Sequence, residues 1–464
     1  MGKTRVVIIG SGPGGYVAAI RGGQLGGEVT VIEDTEVGGT CLNRGCIPTK
    51  TLIASVETLQ KLRHADEFGI EIKGEITFSM QKMMERKDKV VGNLVKGIRA
   101  LFKSHGVNIV EGRGAILSPT EIEVTTRDGS KSSIQADRII IATGSRPARM
   151  ALFPFDGEKV ITSDEALNLK ETPKSVLIVG AGVIGCEFAC ILNELGSEVT
   201  MVEMMDRAVA TEDPEIASTL ERELKKKKIK LITSAKITKV EKTDGGVTAT
   251  LEDGKRITAG LCLVSIGRAL NNENIGLEKI GIAQGKRGEI TVNERMETNI
   301  PGISAIGDVT GKIMLAHVAS TQGLVAIENI MGHHRVMNYD VVPSGIFTMP
   351  EIGSVGLREH WAKEKGIDVK IGRFNFRTLG KAQAMGEITG MVKIIADAKT
   401  DKVLGCHIIG AHATDIIHEA AVAMQKGMTV KELGETIHSH PTLSEAVMEA
   451  AEDLHNLCIH APKK

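Results

Sequence analysis

Val6-Val7-Ile8-Ile9-Gly10-Ser11-Gly12-Pro13-Gly14-Gly15 is a β-branched run that empties into a glycine-rich turn. Such a run reads as a buried strand, and the Ala-rich stretch that follows, ending at Leu25-Gly26, reads as a helix. Glu28-Val29-Thr30-Val31-Ile32-Glu33 is the next strand, closing on an acid. The plan recurs 170 positions later, from Val6 to Val176. Val176-Leu177-Ile178-Val179-Gly180-Ala181-Gly182-Val183-Ile184-Gly185 repeats the strand and turn. Leu195-Gly196 repeats the helix stop, and Glu198-Val199-Thr200-Met201-Val202-Glu203 repeats the strand with its acid.

One GxGxxG is weak evidence. Strand, glycines, helix and terminal acid at one spacing, twice over, indicate two dinucleotide-binding βαβ units. Gly10 and Gly180 allow the tight turn. Gly12 and Gly182 let a pyrophosphate approach the backbone, and Gly15 and Gly185 let helix and strand pack closely. The helix N-terminus offers free N–H groups to the phosphates. Glu33 and Glu203 accept hydrogen bonds from ribose hydroxyls. The Glu203 carboxylate repels the extra phosphate of NADP, so NAD is expected there, although Arg207 four residues on acts against that preference.

Eight positions after Glu33 begins Cys41-Leu42-Asn43-Arg44-Gly45-Cys46. Two cysteines beside a bound dinucleotide suggest a thiol–disulfide couple wired to an electron carrier. The alternatives are a buried pair or half a metal site, but no further ligands follow at zinc spacing, and no metal is expected. Two dinucleotide sites and one dithiol suggest a relay from dithiol to flavin to nicotinamide.

The chain has 464 residues, enough for about three or four domains. Aromatic residues are 3% against 42% apolar, so the cores rest on aliphatic side chains. Basic and acidic residues nearly cancel (57 and 58), which leaves no electrostatic footprint for nucleic acid or an anionic membrane. Seven cysteines are an odd number and not a secreted disulfide framework. No apolar run approaches the ~20 residues of a membrane span. The first apolar run starts at Val6, leaving no room for a targeting peptide, so a cytoplasmic protein is expected.

Further along, Pro48 marks a helix start at its first position. Apolar residues at helical spacing over 79–104 predict a long helix whose methionines serve core packing. Asp128-Gly129 is a hairpin signal. The run from Arg138 to Ala142 is a strand ending in Thr143-Gly144-Ser145, and the polar stretch 145–173 is a crossing into the second unit. That unit ends near Val264-Ser265-Ile266-Gly267-Arg268. Ile303-Ser304-Ala305-Ile306-Gly307-Asp308 is another strand closed by an acid, with a helix from Leu315-Ala316-His317, so the first unit resumes after the second. From Pro343 an α+β domain follows, with strands at 345–347, 391–395 and 403–409 and helices at 413–427 and 443–456. Within it lies His438-Ser439-His440-Pro441-Thr442-Leu443-Ser444-Glu445. His440 and Glu445 read as a base and its orienting carboxylate. They read equally as a capping box, with Thr442 as N-cap and Glu445 at N3.

The chain resembles the flavin disulfide reductase family (class I pyridine nucleotide-disulfide oxidoreductases) over essentially its whole length. The most specific motifs are Gly39-Thr40-Cys41-Leu42-Asn43-Arg44-Gly45-Cys46-Ile47-Pro48, Ala142-Thr143-Gly144-Ser145, Gly307-Asp308 and His440-Pro441-Thr442. The resemblance implies an α/β fold of two Rossmann-like dinucleotide-binding domains, the NAD domain inserted in the FAD domain, plus a C-terminal α+β dimerisation domain. The implied boundaries are 1–147 (FAD), 148–272 (NAD), 273–342 (central, completing the FAD site) and 343–464 (dimerisation). The cofactors would be FAD and NAD. The implied reaction oxidises protein-bound dihydrolipoamide to lipoamide, with hydride passed to NAD+. The partners would be a second copy of the chain and the lipoyl arm of a 2-oxoacid dehydrogenase complex or of the glycine cleavage system.

By the same resemblance Cys41 meets the substrate thiol, Cys46 lies against the flavin, His440 acts as base on the partner subunit's disulfide, and Glu445 orients it. The implied FAD residues are Gly10, Gly12, Gly14, Gly15, Glu33, Lys50, Gly114, Thr143, Gly144, Ser145, Asp308 and Ala316. The implied NAD residues are Gly180, Gly182, Gly185, Glu187, Glu203 and Gly267, with Glu187 paired to Lys50. One departure stands out: the family has a proline soon after Gly267-Arg268, where this chain has Ala269-Leu270-Asn271. The remaining cysteines read as structural. A glutathione-reductase-like relative is the alternative, opposed by Gly185 and Glu203. Mercuric reductase chemistry is opposed by the lack of a C-terminal cysteine pair. A non-catalytic flavoprotein is opposed by the retained Cys41, Cys46, His440 and Glu445.

Overall fold

The structure, a computed structural model, describes residues 2–462. The β-branched runs at 5–9 and 28–33 form neighbouring parallel strands of a five-stranded sheet, in the order Ile303–Ala305, Arg138–Ile141, Arg5–Ile9, Glu28–Glu33, Asn108–Glu111. Residues 6–9 are almost completely buried, as expected where helices cover both faces. Helices Pro13–Gln24 and Ala316–Ile330 pack together on this sheet. Their approach is close enough that a Cβ on Gly323 would fall 2.5 Å from the Gly14 carbonyl oxygen.

A second five-stranded parallel sheet runs Lys230–Ile232, Glu198–Val202, Ser175–Val179, Leu261–Val264, Val160–Ile161. It is inserted between strands Arg138–Ile141 and Ile303–Ala305 of the first. The polar crossing 145–173 is more ordered than its composition predicts: it contains strand Val160–Ile161, at the edge of the second sheet, and a short capped helix, Ser163–Ala166. Where the family's proline is missing, Arg268–Leu270 instead forms an antiparallel ladder with Ser145–Pro147. The outgoing and returning chains therefore run side by side.

The C-terminal part is a five-stranded antiparallel sheet ordered Ser344–Ile346, Glu351–Gly356, Val403–Gly410, Met391–Asp397, Val369–Asn375. Helices Ala413–Lys426 and Glu445–Leu454 pack on it. The Asp128-Gly129 hairpin joins Glu121–Thr125 to Lys131–Gln135. The long helix is Met80–Ser104, capped by the Ser79 hydroxyl, which accepts from the Lys82 N–H. Met80 is buried, and Met83 and Met84 pack against the same core. Pro48 is the third residue of helix Cys46–Arg63 rather than the first, because the turn at Gly45 starts the helix at the cysteine.

A buried charge cluster joins the second sheet's unit to the C-terminal sheet. Lys393, 2% exposed at its side chain, places Nζ 2.9 Å from Asp213, 2.5 Å from Glu215 and 2.7 Å from Glu359. Arg373 pairs with Glu215 and Glu359 as well. Burial pushes the Glu359 carboxyl up, but Lys363 and Lys393 outweigh it and bring its pKa to about 2.

Candidate active site

The first glycine turn opens onto a cavity of ≈ 1050 Å³ that runs past the cysteines to Lys50, Glu187 and Phe347. It exceeds the roughly 300–1,000 Å³ of ordinary small-molecule sites. Gly10 takes φ +103°, and a Cβ there would sit 2.3 Å from the Ala142 carbonyl oxygen, so only glycine closes this turn. A Cβ on Gly15 would meet the Gly10 carbonyl at 2.0 Å, whereas one on Gly12 would meet nothing within 4 Å and would project into open space beside the helix start. These are the separate tasks expected of the three glycines. Gly14 and Gly114 line the cavity too.

The two terminal acids are anchored alike. Glu33 accepts the Ser11 N–H at 2.8 Å and the Thr35 N–H at 3.0 Å. Glu203 accepts the equivalent Ala181 N–H at 2.6 Å and Met205 N–H at 2.8 Å. The sequence repeat is thus a repeat of hydrogen bonds. Glu33 gains two hydroxyl donors, Ser11 and Thr35, that the second copy lacks. Arg207 is tied to Asp206 and to the Ala210 carbonyl.

Cys41 rides on helix Gly39–Arg44, and Cys46 begins helix Cys46–Arg63. Gly45 joins them closely: a Cβ there would lie 3.3 Å from the Cys41 Cα. The two are free thiols that hydrogen-bond to each other. The Cys41 hydrogen bond lowers the Cys46 pKa to about 7; burial opposes this, and Lys50 helps. Cys41 is pushed up by the same hydrogen bond and by burial. Cys46 is therefore the thiolate of the pair, as its place at a helix N-terminus favours. Lys50, one turn on, places Nζ 2.8 and 2.9 Å from the two Glu187 oxygens.

On the far wall, Thr143, Gly144, Ser145, Asp308 and Ala316 line the cavity. Thr143 Oγ1 is buried with no hydrogen-bond partner. The Ser145 hydroxyl donates to Asp308, and Arg268 donates to the Ser145 hydroxyl at 2.6 Å and its carbonyl at 2.7 Å. The anchoring role of Arg268 was not legible in the sequence, since its partners lie 123 residues away. His317 also lines the cavity, its Nε2–H donating to the Pro343 carbonyl at 2.8 Å.

Gly180, Gly182, Gly185, Glu203 and Gly267 stand outside this cavity, around the second turn, whereas Glu187, grouped with them by the resemblance, lines the first cavity because its carboxylate pairs with Lys50. So do His440 and Glu445. His440 Nδ1 lies 2.8 Å from Glu445 Oε1, with the His440 side chain 77% exposed. Burial works against the Glu445 carboxylate, but the Thr442 N–H and His440 outweigh it and hold its pKa below the usual range. The capping-box reading is corrected. The helix starts at Glu445 with Ser444 as N-cap, and the Thr442 hydroxyl donates to the Ser439 carbonyl instead. Only the Thr442 N–H to Glu445 half of that arrangement forms, at 2.7 Å. Cys186, Cys190, Cys262 and Cys406 are fully buried. Cys458 donates to Glu449 at 2.9 Å. Among the described residues no group of three or more His, Cys, Asp and Glu is arranged to hold a metal, and no helix is long and apolar enough to cross a membrane.

Two glycine turns, a dithiol at the first and a separate C-terminal sheet define a two-nucleotide disulfide oxidoreductase. The chain belongs to the pyridine nucleotide-disulphide oxidoreductase family, which matches residues 4–323, and carries that family's dimerisation domain at 342–451. That domain makes it a homodimer. It is 45% identical to dihydrolipoyl dehydrogenase of Bacillus subtilis over 98% of each chain. It is 43% identical to the enzyme of the same name from Chlamydia trachomatis, again over 98% of each. Among solved structures it resembles LpdA of Mycobacterium tuberculosis, with TM-score 0.92 and 32% identity, covering 97% of this chain and 99% of that one.

Proposed function

We propose that the chain has the activity of a dihydrolipoyl dehydrogenase, oxidising protein-bound dihydrolipoamide to lipoamide and reducing NAD+. The observation that carries this reading is the Cys41–Cys46 pair, with its ionisable member at a helix start inside the large cavity. The cofactors are FAD and NAD. The first site suits FAD: Gly12 leaves open space where a Cβ would intrude, and Thr143, in the wall of a cavity large enough for it, carries an unsatisfied buried hydroxyl. Gly10, Gly12, Gly14, Glu33, Gly114, Thr143, Gly144, Ser145, Asp308 and Ala316 would hold it, with Gly15 letting the helix close on the turn. Gly180, Gly182, Gly185, Glu203 and Gly267 would hold NAD. Bound FAD and NAD supply the two-electron acceptors that return the dithiol to the disulfide.

The residues of the chain do the sulfur chemistry. The partner subunit's His440 takes the proton of a dihydrolipoyl thiol, because only a thiolate attacks a disulfide. That thiolate bonds to Cys41 Sγ, the Cys41–Cys46 bond breaks, and Cys46 leaves as the thiolate its surroundings favour. The second lipoyl sulfur attacks the mixed disulfide, closes the lipoamide ring and frees Cys41. Glu445 holds the imidazole by Nδ1 and leaves Nε2 to act. The exposure of His440 and its absence from the lining of its own chain's cavity support a site completed across the dimer. Domain boundaries at 147, 272 and 342 follow from the same reading, supported by the ladder at which the chain leaves and re-enters the first unit. Lipoyl arms of a 2-oxoacid dehydrogenase complex or the glycine cleavage system, met in the cytoplasm, are the proposed partners.

The test is a kinetic panel with lipoamide, glutathione disulfide and other disulfides against NADH. Lipoamide is expected to be preferred, and Cys46→Ser is expected to abolish its turnover. Wild-type turnover in that variant, or preference for glutathione disulfide, overturns the reading.

A further inference from the structure

Phe347 follows the first strand of the C-terminal sheet and lines the cavity beside the dithiol. Its ring centroid lies 4.5 Å from Lys50 Nζ, and its backbone N–H donates to Glu187 Oε1 at 3.0 Å. Glu187, buried to 4% exposure at its side chain, binds the same Lys50 Nζ with both oxygens. One residue therefore grips both members of an ion pair whose ends come from two other parts of the chain. Lys50 favours the Cys46 thiolate and Glu187 opposes it. What Cys46 experiences thus depends on where that ammonium is held. An aliphatic side chain would offer apolar bulk there, but only a π face attracts an ammonium.

We propose that Phe347 is a positioning residue that holds the Lys50 ammonium against Glu187, in the cavity wall it shares with Cys46, and so stabilises the thiolate expelled when the disulfide opens. This rests on the reading of Cys41 and Cys46 as the redox couple. Cys41, Lys50 and Glu187 are the groups that act most directly on Cys46, and His317 and His418 line the same cavity.

The test uses holoenzyme in a Cys41→Ser background, where the long-wavelength absorbance of a thiolate beside the flavin follows ionisation of Cys46 alone. Phe347→Leu is expected to raise the titration midpoint by about half a unit, roughly a threefold loss of thiolate at a given pH. Phe347→Tyr, which keeps the π face, is expected to restore it. With Lys50→Met in place, Phe347→Leu is expected to add no shift, since its effect passes through the ammonium. Phe347→Met replaces the Leu variant if that variant loses flavin. Equal midpoints for Phe and Leu, or the same shift without Lys50, overturn the proposal. A Cys41→Ser parent with no titrating thiolate would instead overturn the redox reading beneath it.

Discussion

At the residue scale, the two terminal acids show how one motif is given two tasks. Glu33 is fixed by four donors and Glu203 by two backbone N–H groups, so the second carboxylate keeps more capacity to accept from a ribose. Its charge disfavours a phosphate at the same position, and Arg207 is occupied by Asp206 and a carbonyl. Wild-type kcat/KM is expected to favour NAD over NADP, and Glu203→Gln to narrow that ratio about tenfold, the worth of ~1.4 kcal/mol. Comparing the two kcat/KM values in both proteins checks this, and a wild-type preference for NADP would refute it.

At the level of elements, the Lys393 cluster is a buried polar link between the inserted unit and the C-terminal sheet. Lys393→Met would leave Asp213, Glu215 and Glu359 short of a cation. Removing one partner of a buried pair costs about 3–5 kcal/mol. Denaturant unfolding at pH 7 should show that loss, and a change below ~1 kcal/mol would mean the acids find compensation in Arg373. The sign with pH follows from Glu359, whose pKa is depressed from the ordinary 4.5 to about 2. Its share of stability is present above 4.5 and is lost as pH falls towards 2.

The strand–turn–helix repeats were legible because their signals are local: an apolar run, spaced glycines and an acid. Strand Glu351–Gly356 was not, since helix Ala413–Lys426 rests directly on it. A Cβ on Gly353 would fall 2.2 Å from the Ala413 carbonyl oxygen, so small residues replace the β-branched pattern. Glu187 meets Lys50, the pairing the resemblance implied, yet it lines the first cavity and not the site of the residues it was grouped with; the Ser145–Asp308 contact joins segments too far apart in the chain to be read locally. Phe347 was missed because its importance comes from three distant segments meeting.

For the whole molecule, the absence of His440 from the cavity lining of its own chain makes a prediction about mixed dimers. Cys46→Ser and His440→Gln homodimers should each be nearly inactive in lipoamide turnover. Refolded together in equal amounts, half the dimers are mixed, and each mixed dimer has one intact site, so about a quarter of wild-type activity should return. No recovery, with mixed dimers demonstrated by mass spectrometry, would place cysteine and histidine in one subunit.

The ladder between Ser145–Pro147 and Arg268–Leu270 also has a topological meaning. A segment that enters and leaves through one doorway has the topology of a domain inserted at a single point of another. Any replacement of that segment would have to preserve Glu187, which it lends to Lys50, and Asp213 and Glu215, which it lends to Lys393.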